Sequence, residues 1–353
     1  MTSRCPACGA TYEGDVNFCS RDGSRLVSRD AKPVVEPSAA RGAEPPAWDG
    51  RTGTLPPPLP GQTPSGPMAL LGKALDDRYR IERKVGEGGM SIVFLATETT
   101  TGQRLAIKVL SKELSGDANA MARLRREASM GARLSHPNVC SIQRIGETAD
   151  GLVYVVMPFV DGELLVDRTN RLRQLPLEEV VRHVRDVAAG LAAAHALGIV
   201  HRDLKPENVM VSPAPDAPGG ERAVVLDFGL AKERRTGAEV EKLTKTGMVV
   251  GTPEFMSPEQ LRGKPLDGRT DVYALALMTY EMLTGTLPFR ANTQQESMIA
   301  RLKSDPTPLD KVRPDLGLPD TVNGVIMQGL ARDPKERYQT APEFAEALAG
   351  ASR

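Results

Sequence analysis

The stretch HRDLKPEN, His201–Asn208, followed by DFG at Asp227–Gly229, decides how this chain is read. Asn208 and Asp227 are side chains able to hold Mg²⁺. Asp203 and Lys205, just upstream, suit the handling of a hydroxyl and a phosphate. Phosphoryl transfer asks little covalent chemistry of a protein. It needs an aligned hydroxyl, metal ions bridging the phosphate oxygens, and cations over the developing charge. An isolated Asp-x-Lys carries no information. The full string with DFG beyond it is far more specific, and it predicts further parts upstream in a set order.

Those parts are present. VGEGGMSIVFLA, Val85–Ala96, alternates apolar residues around Gly86 and Gly88. This reads as two strands joined by a tight turn whose backbone N–H groups can approach phosphates. LAIKVL, Leu105–Leu110, is an alternating apolar run with strand character, and it carries Lys108. MARLRREASMGARL, Met121–Leu134, reads as a helix and offers Glu127 as the partner of Lys108. Each residue alone is an ordinary surface charge; the ordered set is what points to a site.

Taken together, about Tyr79 to Ala349 resembles a eukaryotic-type (Hanks-type) protein kinase domain of the bacterial Ser/Thr branch. The resemblance rests on the Gly-rich loop, strand Lys, helix Glu, HRDLKPEN, DFG, SPE (Ser257–Glu259) and RDPKERY (Arg332–Tyr338). It implies an α+β, two-lobed kinase fold with a small β-rich amino-terminal lobe and a large helical carboxyl-terminal lobe. It also implies ATP and Mg²⁺ (or Mn²⁺) as cofactors, and transfer of the γ-phosphate to Ser/Thr hydroxyls of protein substrates. By the same resemblance Asp203 orients the hydroxyl, Lys205 steadies the transferring phosphate, and the Lys108–Glu127 pair holds the α- and β-phosphates. Asn208 and Asp227 hold Mg²⁺. Glu259 and Arg337 would form a buried structural ion pair, and Thr252 would favour Ser/Thr acceptors. Lys205 is the Ser/Thr form of the loop.

The resemblance also places the adenine pocket. GLVYVVMPFVDGELL, Gly151–Leu165, is an apolar strand running into an Asp-Gly turn. Met157 would be the gatekeeper and Pro158–Val160 the hinge, with the Pro158 carbonyl and the Val160 N–H as base contacts. Proline lacks an N–H, but this hinge position uses only the carbonyl. Val85, Gly86, Gly88, Val93, Ala106 and Met210 would complete the nucleotide pocket.

Three departures from the pattern stand out. Ser91 replaces the third glycine of the phosphate loop, removing backbone freedom and suggesting slower turnover. Ala276 replaces a usual glycine in DVYALA, a packing variant. SPAPDAPGGE, Ser212–Glu221, lengthens a turn between two strands; its composition marks a solvated loop.

The amino terminus, residues 1–26, reads as a separate unit. CPACGATYEGDVNFCSRDG, Cys5–Gly23, contains Cys5-x₂-Cys8 and Cys19-x₂-Asp22. Paired knuckles resemble a zinc-ribbon-like hairpin, here with a Cys₃Asp ligand set of Cys5, Cys8, Cys19 and Asp22. The alternative is a degenerate knuckle that binds no metal. A disulfide framework fits poorly, because three clustered Cys leave one unpaired and Cys140 is distant. So short a segment cannot build a core, so Zn²⁺ would have to supply most of the folding energy. Arg4, Arg21, Arg25 and Arg29 are balanced by Glu13, Asp15, Asp22 and Asp30. That balance gives no footprint for nucleic acid and suggests a protein-docking or regulatory module.

Residues 27–75 include LPPPLPGQTPSGP, Leu55–Pro67, and little sustained periodicity. They read as a Pro-rich disordered linker. PPPLP suits either linker stiffness or docking to an aromatic groove, and Trp48 lies in this tether. Over the 353 residues, Lys plus Arg and Asp plus Glu are both 45. Nothing global therefore points to nucleic acid or an anionic membrane. No apolar run approaches the roughly 18 residues of a membrane helix. The chain also ends soon after the last kinase helix, so a cytoplasmic location is expected.

Two function classes compete: an active Ser/Thr kinase and a nucleotide-binding pseudokinase scaffold. Pseudokinases typically lack one of the three residues that stand here as Lys108, Asp203 and Asp227, which favours the enzyme. KLTKTGMVVGTPEF, Lys242–Phe255, places Thr244 and Thr246 where bacterial relatives are phosphorylated. Phosphorylation in trans, through transient self-association, would give the Arg202 guanidinium an anionic partner. In the bland alternative both threonines are solvated loop residues of a constitutively active enzyme.

Overall fold

The computed structural model describes residues 2–4, 11–13, 27–28, 66–88, 90–131, 133–228, 253–289, 291 and 293–353. Two compact units divide the chain, Met1–Gly61 and Gln62–Arg353. In the first, β1 (Thr2–Arg4) pairs antiparallel with β2 (Thr11–Glu13) and with β3 (Val27–Ser28). The β1–β2 connection therefore carries Cys5 and Cys8. Cys5, Cys8, Cys19, Asp22, Trp48 and the LPPPLP run lie outside the described residues.

The second unit opens with a turn at Gly66–Leu70, then β4 (Ala74–Leu75). The antiparallel strands β5 (Tyr79–Gly88), β6 (Ser91–Glu98) and β7 (Arg104–Leu110) follow. A short helix α1 (Lys112–Ser115) leads to α2 (Ala118–Gly131), then β8 (Arg144–Glu147) and β9 (Val153–Pro158). The sheet order is β4-β5-β6-β7-β9-β8. Side chains alternate across a strand, and β7 uses both faces. Leu105, Ile107 and Val109 join Phe94, Tyr154 and Val156 in the core of one face. Ala106 and Leu110 pack on the other face with Met121 and Leu124 of α2. Lys108 shares that second face by parity, which aims it away from the outer core.

Two described segments fall inside the expected linker. Val27–Ser28 is a strand, and the 66–75 segment straps the sheet. Ala74 pairs with Arg80 and Leu75 with Tyr79, while Met68, Leu70 and Leu71 pack on the outer core. Met-x-Leu-Leu supplies apolar surface that the Pro-rich stretch before it lacks. The disordered reading of 27–75 is corrected at both ends on that account.

Beyond the hinge come β10 (Glu163–Leu164), α3 (Leu165–Leu172) and α4 (Leu177–His195). Strands β11 (Val209–Pro213) and β12 (Glu221–Val225) complete a small sheet, β10-β11-β12. Gly162 makes the entry feasible: its φ is 153°, and a Cβ there would meet the Val211 carbonyl oxygen at 2.2 Å. On α4 the buried Val180, Val184, Val187, Leu191 and Ala194 recur at helical spacing. The loop Ser212–Glu221 is pinned, because Arg168 grips both Glu221 oxygens at 2.9 and 3.0 Å.

The carboxyl-terminal helices are α5 (Pro258–Leu261), α6 (Gly268–Thr284), α7 (Gln294–Lys303), α8 (Leu309–Val312), α9 (Asp320–Gly329) and α10 (Ala341–Ala351). Helix α6 is buried on nearly every side, including Tyr273, Leu277 and Tyr280, so it is the axis of this lobe. Asp267 caps its start, and Gly285 at φ 73° ends it. Ala276, the predicted packing variant, is fully buried within this axis. Among the described residues no helix is long and apolar enough to cross a membrane.

Candidate active site

The antiparallel register sets Ala106 opposite Met157, and both are buried in one cluster against which Val93, Phe159 and Val160 pack. Met210 lies on β11 opposite Val224, a member of the same cluster. Gly86 stands opposite Val93 and Gly88 opposite Ser91, so the glycine hairpin is present as read. Val85 precedes Gly86 and is 38% exposed. The Phe159 N–H reaches the Arg104 carbonyl at 3.4 Å, so the hinge continues the ladder one residue past Pro158.

The His201–Asn208 loop is held from outside itself. Fully buried Asp271, on α6, accepts the N–H of His201 at 2.8 Å and of Arg202 at 2.9 Å. His195 at the end of α4 lies 2.7 Å from the same carboxylate. Arg202 takes a left-handed φ of 66° and Asp227 one of 55°. His201 Nδ1 accepts from the Asp203 N–H, and Nε2 faces the Leu226 carbonyl at 2.9 Å. These contacts assign the proton to Nε2. The His201 ring meets Phe228 edge-on at 4.8 Å, which joins the loop to the DFG segment.

Four predicted residues converge here. Asn208 Nδ2 donates to the Asp203 carbonyl at 2.7 Å and to its carboxylate at 3.2 Å. With the amide nitrogen so used, the Asn208 side-chain oxygen remains as an acceptor. Lys108 Nζ bonds Asp227 Oδ2 at 2.8 Å. Lys205 is extended (φ −164°, ψ 164°) at the start of the Pro206–Asn208 turn, and its carbonyl accepts the Asn208 N–H. Glu127 falls on α2, but its side chain lies outside the described residues, so the described partner of Lys108 is Asp227. Gly229, Thr244, Thr246 and Thr252 also lie outside the described residues.

The predicted ion pair is present. Arg337 clasps Glu259 through two bonds of 2.8 Å, both side chains buried, and Thr270 adds a third bond to Glu259 at 3.0 Å. Burial pushes the Glu259 carboxyl up, but the Arg337 guanidinium outweighs it and holds the group below its ordinary range. Next to Glu259, Gln260 Nε2 donates to the Arg202 carbonyl at 2.6 Å. Residues 79–348 match the protein kinase domain family.

The chain belongs to the protein kinase domain family.

Bacterial proteins are among its relatives. The chain is 39% identical to serine/threonine-protein kinase pkn3 of Myxococcus xanthus over 276 residues, 78% of this chain and 50% of that protein. It is 38% identical to the probable serine/threonine-protein kinase PknB of Corynebacterium glutamicum, over 78% of this chain and 42% of that one. The chain spans half or less of the length of these relatives, and a third of serine/threonine-protein kinase pkn2 of Myxococcus xanthus. Among solved structures, the kinase domain of Mycobacterium tuberculosis PknI aligns with a TM-score of 0.63 at 29% identity. That match covers 80% of this chain and all of the other, and confirms the two-lobed kinase fold.

The sequence reading of the kinase domain missed Asp271, although it quoted DVYALA, because an Asp on an apolar helix signals nothing about a loop far upstream. It also missed Gln260, and a group of carboxylates near the loop. Burial first, then the charges of Glu207 and Glu254, push the Glu281 carboxyl up to about 7.

Proposed function

We propose that this chain is an active serine/threonine protein kinase, a non-specific enzyme that transfers the γ-phosphate of ATP to Ser/Thr hydroxyls of protein substrates. The observation that carries this reading is the pairing of Lys108 with Asp227 beside an Asn208-held Asp203. The donor set suits the family's cofactors: Asn208 Oδ1 and the Asp227 carboxylate are hard oxygen ligands, appropriate to Mg²⁺ or Mn²⁺. A divalent ion held there would neutralise phosphate charge. Asp203 accepts a hydrogen bond from the incoming hydroxyl and fixes its line of attack. Lys205 lies two residues on and holds charge near the acceptor, while Lys108 anchors the non-transferred phosphates. Val85, Gly86, Gly88, Val93, Ala106, Met157, Pro158, Val160 and Met210 enclose the nucleotide. No specific observation favours the scaffold reading.

Asp203→Asn should lower turnover by roughly 10² to 10⁴ with little change in ATP affinity, measured as radiolabel transfer to a generic acceptor. Near-normal transfer by the purified variant would sink the assignment. Asp227→Ala should instead lose metal-dependent ATP binding.

Three narrower readings belong to the same proposal. The 1–26 module holds one Zn²⁺ through Cys5, Cys8, Cys19 and Asp22, supported by knuckle spacing; metal analysis of unchelated protein finding no zinc refutes it. Thr244 or Thr246 is phosphorylated by a second copy, supported by their place before the GTPEF segment. A double Ala variant that phosphorylates added substrate normally refutes that switch. The enzyme works in the cytoplasm, where ATP is available; fractionation of tagged full-length protein checks the compartment.

A further inference from the structure

Within the β7–β9 ladder, the Phe159 N–H faces Arg104, so the carbonyl of Pro158 faces the opposite edge. On that edge β8 pairs only as far as Arg144 opposite Val156, and the Gln143 N–H closes on the Val156 carbonyl at 2.8 Å. The next carbonyl along, that of Pro158, has run out of strand. For the same reason proline removes no ladder bond here.

What reaches that carbonyl is a thiol. Cys140 Sγ lies 3.6 Å from the Pro158 oxygen, a distance suited to a sulfur donor. Cys140 is 6% exposed and packs with Ala106, Met157 and Val224. Its own N–H bonds the Val225 carbonyl at 2.8 Å, so its backbone is fixed to the strand that leads to Asp227. Burial, followed by the nearby Asp227 charge, pushes the thiol up to about 12, which keeps it protonated at neutral pH. The other end of the same peptide is also braced. Arg104 accepts the Phe159 N–H through its carbonyl, lays its guanidinium over the Phe159 ring at 4.5 Å, and pairs with Asp161 at 2.8 Å.

We propose that Cys140 is a positioning residue for the nucleotide base: its thiol fixes the Pro158 carbonyl so that this oxygen favours purines with a 6-amino group over those with a 6-oxo group. This rests on the kinase reading above. A carbonyl oxygen has two acceptor directions. The thiol takes the inner one, and the outer one faces the base. A 6-amino group donates to it. A 6-oxo group presents a second acceptor, and a carbonyl held by the thiol cannot turn away to relieve that repulsion.

The test is calorimetric titration of full-length protein with ADP and with inosine diphosphate, for wild type, Cys140→Ala, Cys140→Val and Cys140→Ser. Val fills the volume without a donor, and Ser keeps a donor. Losing one positioning hydrogen bond should weaken ADP by about three- to tenfold in the Ala and Val variants. Binding of inosine diphosphate should stay near wild type, and Ser should retain most of the ADP affinity. Saturating turnover with ATP should stay near wild type in all three. Equal weakening of both nucleotides, or no change in either, overturns the proposal; Val and Ser decide it if the Ala variant does not fold. Intact base discrimination without phosphotransfer would sink only the kinase reading, whereas wild type that binds neither nucleotide would sink both.

Discussion

Asp271 spends both carboxylate oxygens on backbone N–H groups of the HRD segment, at 2.8 and 2.9 Å, from a site with no solvent exposure. Holding Arg202 at a φ of 66° costs on the order of 1–3 kcal/mol, so the loop needs such an outside grip. Glu281, on the same helix, is placed less comfortably. Its carboxyl is raised from 4.5 to about 7, so between those values the folded chain keeps a proton that the unfolded chain has released. Stability therefore falls as pH rises through this window, and the full penalty is present above it. Glu281→Gln should stabilise the protein at pH 8 by about 1–3 kcal/mol, with the gain shrinking towards pH 5. Urea unfolding midpoints at the two pH values test this; a difference independent of pH would refute it.

The strap is the element whose role composition concealed. Met68, Leu70 and Leu71 cover the outer face of the sheet, where Phe94 and Ile107 are fully buried. Tyr154 donates its hydroxyl hydrogen to Asp76 just after the strap, which ties the turn to β9. In the full chain, Met68→Ala with Leu70→Ala should lower stability by about 1–3 kcal/mol, given partial burial of both side chains. An unchanged unfolding midpoint would show that the strap adds nothing to the core. Deletions meant to isolate the kinase unit should accordingly start no later than Gln62, where that unit begins. A start at Leu71 discards two of the packed side chains.

At the scale of the whole molecule, the Glu259–Arg337 pair joins α5 to the turn that precedes α10. Both charges are buried, and Arg337 also bonds the carbonyls of Arg269 and Ala331. Removing one partner leaves an uncompensated buried charge, a loss of about 3–5 kcal/mol. Arg337→Met should show that loss at pH 7. Native Glu259 sits below its ordinary range, so its stabilising contribution is present above the unfolded value and is lost as pH falls. In the variant that contribution is gone, so its deficit against wild type should narrow as pH falls below 4.5; chemical denaturation at pH 7 and pH 3.5 measures it, and a constant deficit refutes the charge explanation.

Much of the kinase unit was legible in residue order alone. Alternation in LAIKVL puts Lys108 on the Ala106 face, periodicity builds α4, and HRDLKPEN with DFG announces the chemistry, because strand parity and helical spacing are local properties. The amino-terminal metal reading rests on spacing and nothing further. What lay beyond local pattern were the encounters between faces. Lys108 meets Asp227 119 positions away, and Asp271 grips a loop 70 positions upstream. Pro158 presents its carbonyl to Cys140 because β8 stops two residues short on that edge. No periodicity encodes these meetings. They follow from which buried surfaces close on one another, and a buried charge or unpaired carbonyl acquires its partner only when the chain has packed.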